Sequence, residues 1–204
     1  FKADRNNIPR TWCDHGAWPL FALDFYIQQT GDLDILLEEI PYWKDQFVNR
    51  SADIDEDWSR NDGSWLQTTE GEIYQGSVLE HALIQQLSAF YNVGEHNILK
   101  LEGADWNDTL DMARNRGEST CFQSFYAGNL EILIKLFQSF KSKGVSSISL
   151  HQDICFLLEH MDFETIESKQ KALNNYFKKV RTKVNSGKKE VSIDDAIDAL
   201  RAKY

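Results

Sequence analysis

Apolar positions along this chain recur mainly at helical spacing. Trp18, Phe21, Ala22 and Phe25 fall on one helix face, with Leu20, Leu23 and Ile27 widening it until Gly31 supplies a C-terminal cap. A short second helix, Leu33 to Glu39, is stopped by Pro41. Residues 49–76 carry Ser, Asp, Asn and Gly without sustained periodicity and hold Trp58, Trp65 and Tyr74, so they read as a long loop of functional type. Ser77 followed by Glu80 has capping-box spacing, and Leu79, Leu83, Leu87 and Phe90 stripe the helix behind it as far as Asn92 to Gly94. A second box, Thr120 with Gln123, opens a helix over Phe122 to about Lys143 that is apolar on most of its circumference and capped by Gly144. Three amphipathic segments follow, at about 150–160, about 165–185 and, behind Ser192, 193–203. Strand signals are few. Helical hairpins joined alternately by short turns and long aromatic loops predict an all-α fold, part of an (α/α)6 toroid whose long loops build a site at one end. A plain bundle is the competing arrangement.

Charge divides the chain. Residues 1–163 carry 12 basic and 26 acidic side chains, residues 164–204 carry 10 and 6, and the 204 residues together sum to −10. All six tryptophans lie in the first 106 residues. A boundary near Asp162 follows, with 1–163 expected to be a fragment of the α/α domain and 164–204 a more basic helical tail packed on it. The acidic balance argues against nucleic acid or an anionic membrane as partner. No apolar run approaches the roughly 18 residues of a membrane-spanning helix. Cys13, Cys121 and Cys155 are widely spaced and odd in number, which reads as reduced thiols of a cytoplasmic protein. The five histidines form no HExxH pair, so no metal site is expected. Asp53-Ile54-Asp55-Glu56-Asp57 imitates half of a calcium loop but has Trp58 where that loop needs glycine. The chain begins with Phe1 and runs straight into a motif-rich stretch, which suggests a piece of a longer polypeptide.

Two clusters could carry chemistry. In Asp105-Trp106-Asn107-Asp108 a carboxylic acid can protonate a glycosidic oxygen, an indole can stack on a pyranose, and the amide and second carboxylate can bind hydroxyls. The plainer alternative is an acidic helix start. The second cluster runs from Asp4 to Trp18 and holds Arg5, Arg10, Trp12, Asp14 and His15. Forked arginine donors there suit phosphate or sugar hydroxyls. Alternatively Asp14 caps the helix beginning near Gly16 and Trp18 belongs to the core, and for Trp18 the core role is favoured. Glu80 and His81 read as cap and packing residues.

The stretches "TWCDHGAWPLFALDFYIQQTGDLDIL", "GSVLEHALIQQL" and "EGADWNDTLDMA" together resemble glycoside hydrolase family 94, the inverting phosphorylases of β-glucosides. The wording "NNIPRTWCDHG", "NVGEHNILKLEGADWND" and "DMARNRGES" is most similar to the 1,2-β-oligoglucan phosphorylases among them. The resemblance covers about residues 1–140 and, more loosely, the tail. It implies Asp108 as general acid, Trp106 as the stacking residue of the glycone subsite, Asp14 and Arg10 gripping that sugar's hydroxyls, and Asp105 and Asn107 in support. Arg5 rivals Arg10. It also implies an α/α toroid, no cofactor, inorganic phosphate as co-substrate, a β-gluco-oligosaccharide as substrate, and a second copy of the full-length protein as a candidate partner. Two departures stand out. The family places glycine after Trp-Asn-Asp, where this chain has Thr109, a position that would be strained if it needs positive φ. The family's phosphate pocket uses a histidine and a Thr-Gly pair far downstream, beyond these residues, so the segment alone is expected to be catalytically incomplete. A non-catalytic carbohydrate-binding module and an inverting toroid hydrolase are the rival functions.

Overall fold

The computed structural model describes residues 11–102, 113 and 115–204. Helix α1 (Ala17–Thr30) ends where Gly31 turns left-handed at φ 73° and donates its N–H to Ile27 O, as the sequence predicts. A 3-10 turn, Asp34–Leu37, then leads to strand β1 (Glu39–Pro41), because Pro41 can occupy an edge strand but cannot continue a helix. Strand β2 (Phe47–Val48) precedes the stretch 49–76 that reads as a loop, which is mostly turn and irregular backbone with the short strand β3 (Asp53–Ile54) inside it and β4 (Gln75–Ser77) at its end. Helix α2 (Val78–Tyr91) follows, then α3 (Thr120–Ser142), β5 (Ser147–His151), α4 (Gln152–Glu159), α5 (Ile166–Lys179), β6 (Lys188–Ser192) and α6 (Ile193–Lys203).

The all-α toroid is therefore not what forms. Among the described residues six helices are interleaved with six short strands, paired antiparallel as β1·β4, β2·β3 and β5·β6, a mixed α/β arrangement. The physical reason is plain at β5. Ile148 and Leu150 alternate with Ser147 and Ser149, a period of two that selects a half-buried strand over the first turn of a helix. The expected helix at 150–160 consequently starts at Gln152, and the one expected to reach 185 stops at Lys179, beyond which the chain turns outward and Arg181 reaches Asp53 at 2.6 Å.

One apolar cluster unites Leu20 of α1, Leu79, Leu83 and Leu87 of α2, Leu133, Phe137 and Phe140 of α3, Leu150, Leu157, Leu173 of α5, and Ile193, Ile197 and Leu200 of α6. A smaller cluster, Cys13, Ala17, Ala89, Leu99, Leu101 and Tyr126, sits where α1 begins. Helix α1 is turned from its expected orientation: Ala17 and Leu20 are buried, whereas Trp18 and Phe25 are each 50% exposed. Trp18 is thus not core. Its ring meets Phe125 edge-on at 4.9 Å, and Phe21 meets Phe25 at 4.7 Å, an aromatic row along the outer flank. No helix of the described residues is long and apolar enough to cross a membrane.

Candidate functional site

Three polar side chains on otherwise apolar helix faces fix the backbone of the Asp14 segment. Tyr126 Oη donates to Cys13 O at 2.7 Å, Gln86 Nε2 to Gly16 O at 2.7 Å, and Asn129 Nδ2 to Ala17 O and to Gln86 Oε1, both at 3.0 Å. Gly16 fits because a Cβ there would stand 2.8 Å from the Tyr126 hydroxyl and 3.3 Å from Gln85 Cβ. The Asp14 carbonyl accepts the Ala17 and Trp18 amides, and its Oδ2 accepts the Trp18 indole at 3.0 Å. Among the described residues, Asp14 Oδ1 is buried without a partner, and so is Trp12 Nε1. Trp12 also meets the His15 ring edge-on at 4.3 Å.

Trp12 pairs antiparallel with Glu102. Glu102 lies three residues before Asp105 in the chain. Glu102 is itself gripped: Arg50 Nε and Nη2 donate to its two oxygens at 2.7 Å each, Asn92 Nδ2 donates at 2.7 Å, and Arg50 Nη1 reaches Ser88 Oγ at 3.2 Å. Such a forked pair fixes geometry as well as charge. Burial works against the Arg50 charge, but the hydrogen bonds and charge of Glu102 more than offset it and raise the guanidinium pKa. Asn49, Arg50 and Ser51 have φ of 53, 55 and 61°, and Glu102 has 55°. Each left-handed non-glycine residue costs roughly 1–2 kcal/mol, which the ion pair and the Thr11 Oγ1 to Ser51 Oγ contact at 3.1 Å help to offset. Burial, followed by the charges of Asp14 and Glu102, pushes the Cys13 thiol up to about 12, so it is no nucleophile at neutral pH.

The chain leaves and returns at one neck. Leu101 N donates to Gly117 O and Ser119 N to Leu99 O, each at 2.9 Å, with Lys100 bridged to Glu118 between them. Glu118 accepts the His96 amide at 2.9 Å and meets His96 Nδ1 at 2.6 Å. Asp105, Trp106, Asn107, Asp108 and Thr109 lie outside the described residues, as do Arg5 and Arg10.

No protein-family model matches the chain. Over 132 residues, 64% of its length, it is 27% identical to the cyclic beta-(1,2)-glucan synthase NdvB of Rhizobium meliloti (strain 1021). It spans 4% of that protein's length.

Arg50, Gln86 and Asn129 are the site-building residues that sequence reading passes over. Gln86 beside Leu83 and Leu87, and Asn129 beside Leu130, were the available signals, because a buried amide on an apolar face demands partners. Glu80 plays the packing part expected of it. Completely buried, it accepts Tyr42 Oη at 3.0 Å, Tyr74 Oη at 3.1 Å and the His151 amide at 2.7 Å. Burial and then the Glu80 charge raise both phenols well above the ordinary tyrosine range, which keeps them as donors. His81 stacks on Tyr42 with ring centroids 3.6 Å apart, and burial lowers its pKa.

Proposed function

We propose that this chain contributes the glycone-binding part of an enzyme that cleaves β-1,2-linked gluco-oligosaccharides with inorganic phosphate, releasing α-glucose 1-phosphate and a shortened oligosaccharide. The observation that carries the reading is the Trp12–Glu102 bridge, which sets the Asp14 segment against the residue heading the stretch with the Trp-Asn-Asp triplet. The motif resemblance and the similarity to a protein named for β-1,2-glucan support the substrate class.

In this reading Asp108 gives its proton to the leaving glycosidic oxygen while a phosphate oxygen attacks the anomeric carbon from the opposite face. The C1–O bond to the leaving sugar breaks as the C1–phosphate bond forms, with inversion. An inverting hydrolase needs a second carboxylate to activate water. Phosphate is already an anionic nucleophile, so one acid suffices. Trp106 stacks on the sugar ring, Asp14 accepts from its hydroxyls, and Arg10, Asp105 and Asn107 complete the polar shell. The orphaned Oδ1 of Asp14 is in keeping with this role, an acceptor for which the described residues supply no donor.

The test uses the complete polypeptide that contains this chain, incubated with β-1,2-linked glucotriose with and without phosphate. Phosphate-dependent α-glucose 1-phosphate is expected, and Asp108→Asn should slow its formation about 10²- to 10⁴-fold while sugar binding changes only slightly. Asp105→Asn should slow it less. Release of glucose independent of phosphate would reject the reading.

A further inference from the structure

The molecule has a concavity whose lining includes Arg50 but none of the residues given a part in the reaction above. A cavity of about 490 Å³ opens between α2, α5 and the turn that carries Arg50, with Tyr74 and Glu80 among its lining residues and Ile84, Tyr176 and Phe177 also lining it. Its size falls in the range of roughly 300–1,000 Å³ typical of small-molecule sites. Trp43 also lines this cavity; it is 66% exposed and crosses Trp65, itself 44% exposed, at 5.9 Å and 83°.

The lysine and arginine charges around the cavity are already paired. Lys44 is held by Asp55 at 2.8 Å, Arg50 by Glu102 at 2.7 Å and Arg181 by Asp53 at 2.6 Å, while the Glu80 carboxylate is occupied by three donors. An anionic ligand would therefore find no unmatched cation among these side chains, and the oxygens of the buried Glu80 carboxylate are already filled by neutral donors. What remains available is aromatic surface, tyrosine edges and one unspent amide acceptor, the buried Oε1 of Gln85. Those features suit a neutral ligand with alternating apolar faces and hydroxyls, which is the description of a sugar ring.

We infer that this cavity is a second binding site for a neutral β-gluco-oligosaccharide, with Trp43 as its stacking residue. The choice of sugar rests on the proposed function; the neutrality and the stacking rest on the cavity alone. The site would hold part of a glucan chain apart from the unit undergoing cleavage.

The chain itself, titrated calorimetrically with β-1,2-linked glucotriose, tests this. Trp43→Ala, a surface change, should weaken binding about tenfold, the loss of one stacked ring, with the circular dichroism spectrum unchanged. Ile84→Trp, which fills the cavity, should weaken it at least as much. Trp106→Ala should leave this binding in place, and raising the salt concentration should leave it unchanged because the ligand is neutral. If Trp43→Ala and Ile84→Trp bind like the parent while Trp106→Ala abolishes binding, the second site is overturned and the proposed function survives. If the parent chain binds no glucotriose, the second site is likewise overturned. If cavity binding follows the expected pattern but the phosphate-dependent reaction is absent from the complete polypeptide, the second site stands and the phosphorylase reading falls.

Discussion

Arg50 organises the site and has almost no signature in the sequence. Its partner, Glu102, is 52 residues away, and neither periodicity nor motif joins them. Asp14, by contrast, stands out in the sequence, because an acid flanked by two tryptophans at a helix start is unusual within a few residues. The side chains of Arg50 and Glu102 are 16% and 15% exposed, so removing one leaves the other desolvated and short of donors or acceptors. Arg50→Met should cost about 3 kcal/mol in urea unfolding, near the lower limit for a broken buried pair. Arg50→Lys should recover only part of that, since one ammonium cannot occupy both carboxylate oxygens in the forked geometry. A double-mutant cycle of Arg50→Met with Glu102→Gln should show a coupling of at least about 1 kcal/mol. Additive losses would mean that the pair does not act as a unit.

Among the elements, helix existence was readable and helix ends were not always. The Ser192 cap on α6 and the Gly31 stop of α1 stand where the sequence puts them. The start of α3 is displaced by one residue: Ser119, not Thr120, accepts the Phe122 amide at 3.2 Å, and the Gln123 side-chain Oε1 is taken by Leu99 N at 3.1 Å. Two adjacent hydroxyl residues present the same local signal, and the neck, which places Ser119 N on Leu99 O, decides between them. Ser119→Ala should therefore destabilise the fold by about 1 kcal/mol, and Thr120→Ala by a few tenths at most, as read from thermal unfolding. At Ser77 only half of the box forms. The Ser77 hydroxyl accepts Glu80 N at 3.1 Å, but the Glu80 side chain turns inward to two tyrosines, a tertiary demand that overrides the local one. The orientation of α1 was illegible for a related reason. A helix apolar on nearly every side has no preferred face of its own, and its neighbours choose Ala17 and Leu20.

At the scale of the molecule, the buried thiols and phenols set the response to alkali. Cys155 is pushed up to about 11 by burial and then by Glu159, Cys13 to about 12, and Tyr126 to about 12 chiefly by burial. Each of these groups holds its proton more tightly folded than unfolded. Their contribution to stability is complete below the unfolded values, about 8.5 for a thiol and about 10 for a phenol, and is lost as pH climbs through the folded ones. Lys203 runs the other way. Its ammonium, donating to Leu158 O at 2.7 Å and His160 O at 3.1 Å, is lowered by burial to about 8, so the folded chain gives up that proton first and gains stability between about 8 and 10.4. With more acids than lysines so placed, the urea midpoint is expected to fall from pH 9 to pH 11, and Lys203→Met should steepen the fall. A midpoint that holds level over that interval would refute the assignment.

Strand β6 and helix α6 have one further consequence, for the order in which the molecule is made. Val191 closes against β5, and Ile193, Ala196, Ile197 and Leu200 close the apolar side of α3, which is complete some fifty residues earlier in the chain. At roughly 5–20 residues per second of synthesis, the gap from the end of α3 to the end of α6 lasts about 3–12 seconds. During that time Leu133, Phe137 and Phe140 have no completed seat. A nascent chain stalled before Ile193 should therefore remain protease-sensitive throughout α3, and a few tens of further residues should protect it in a single step.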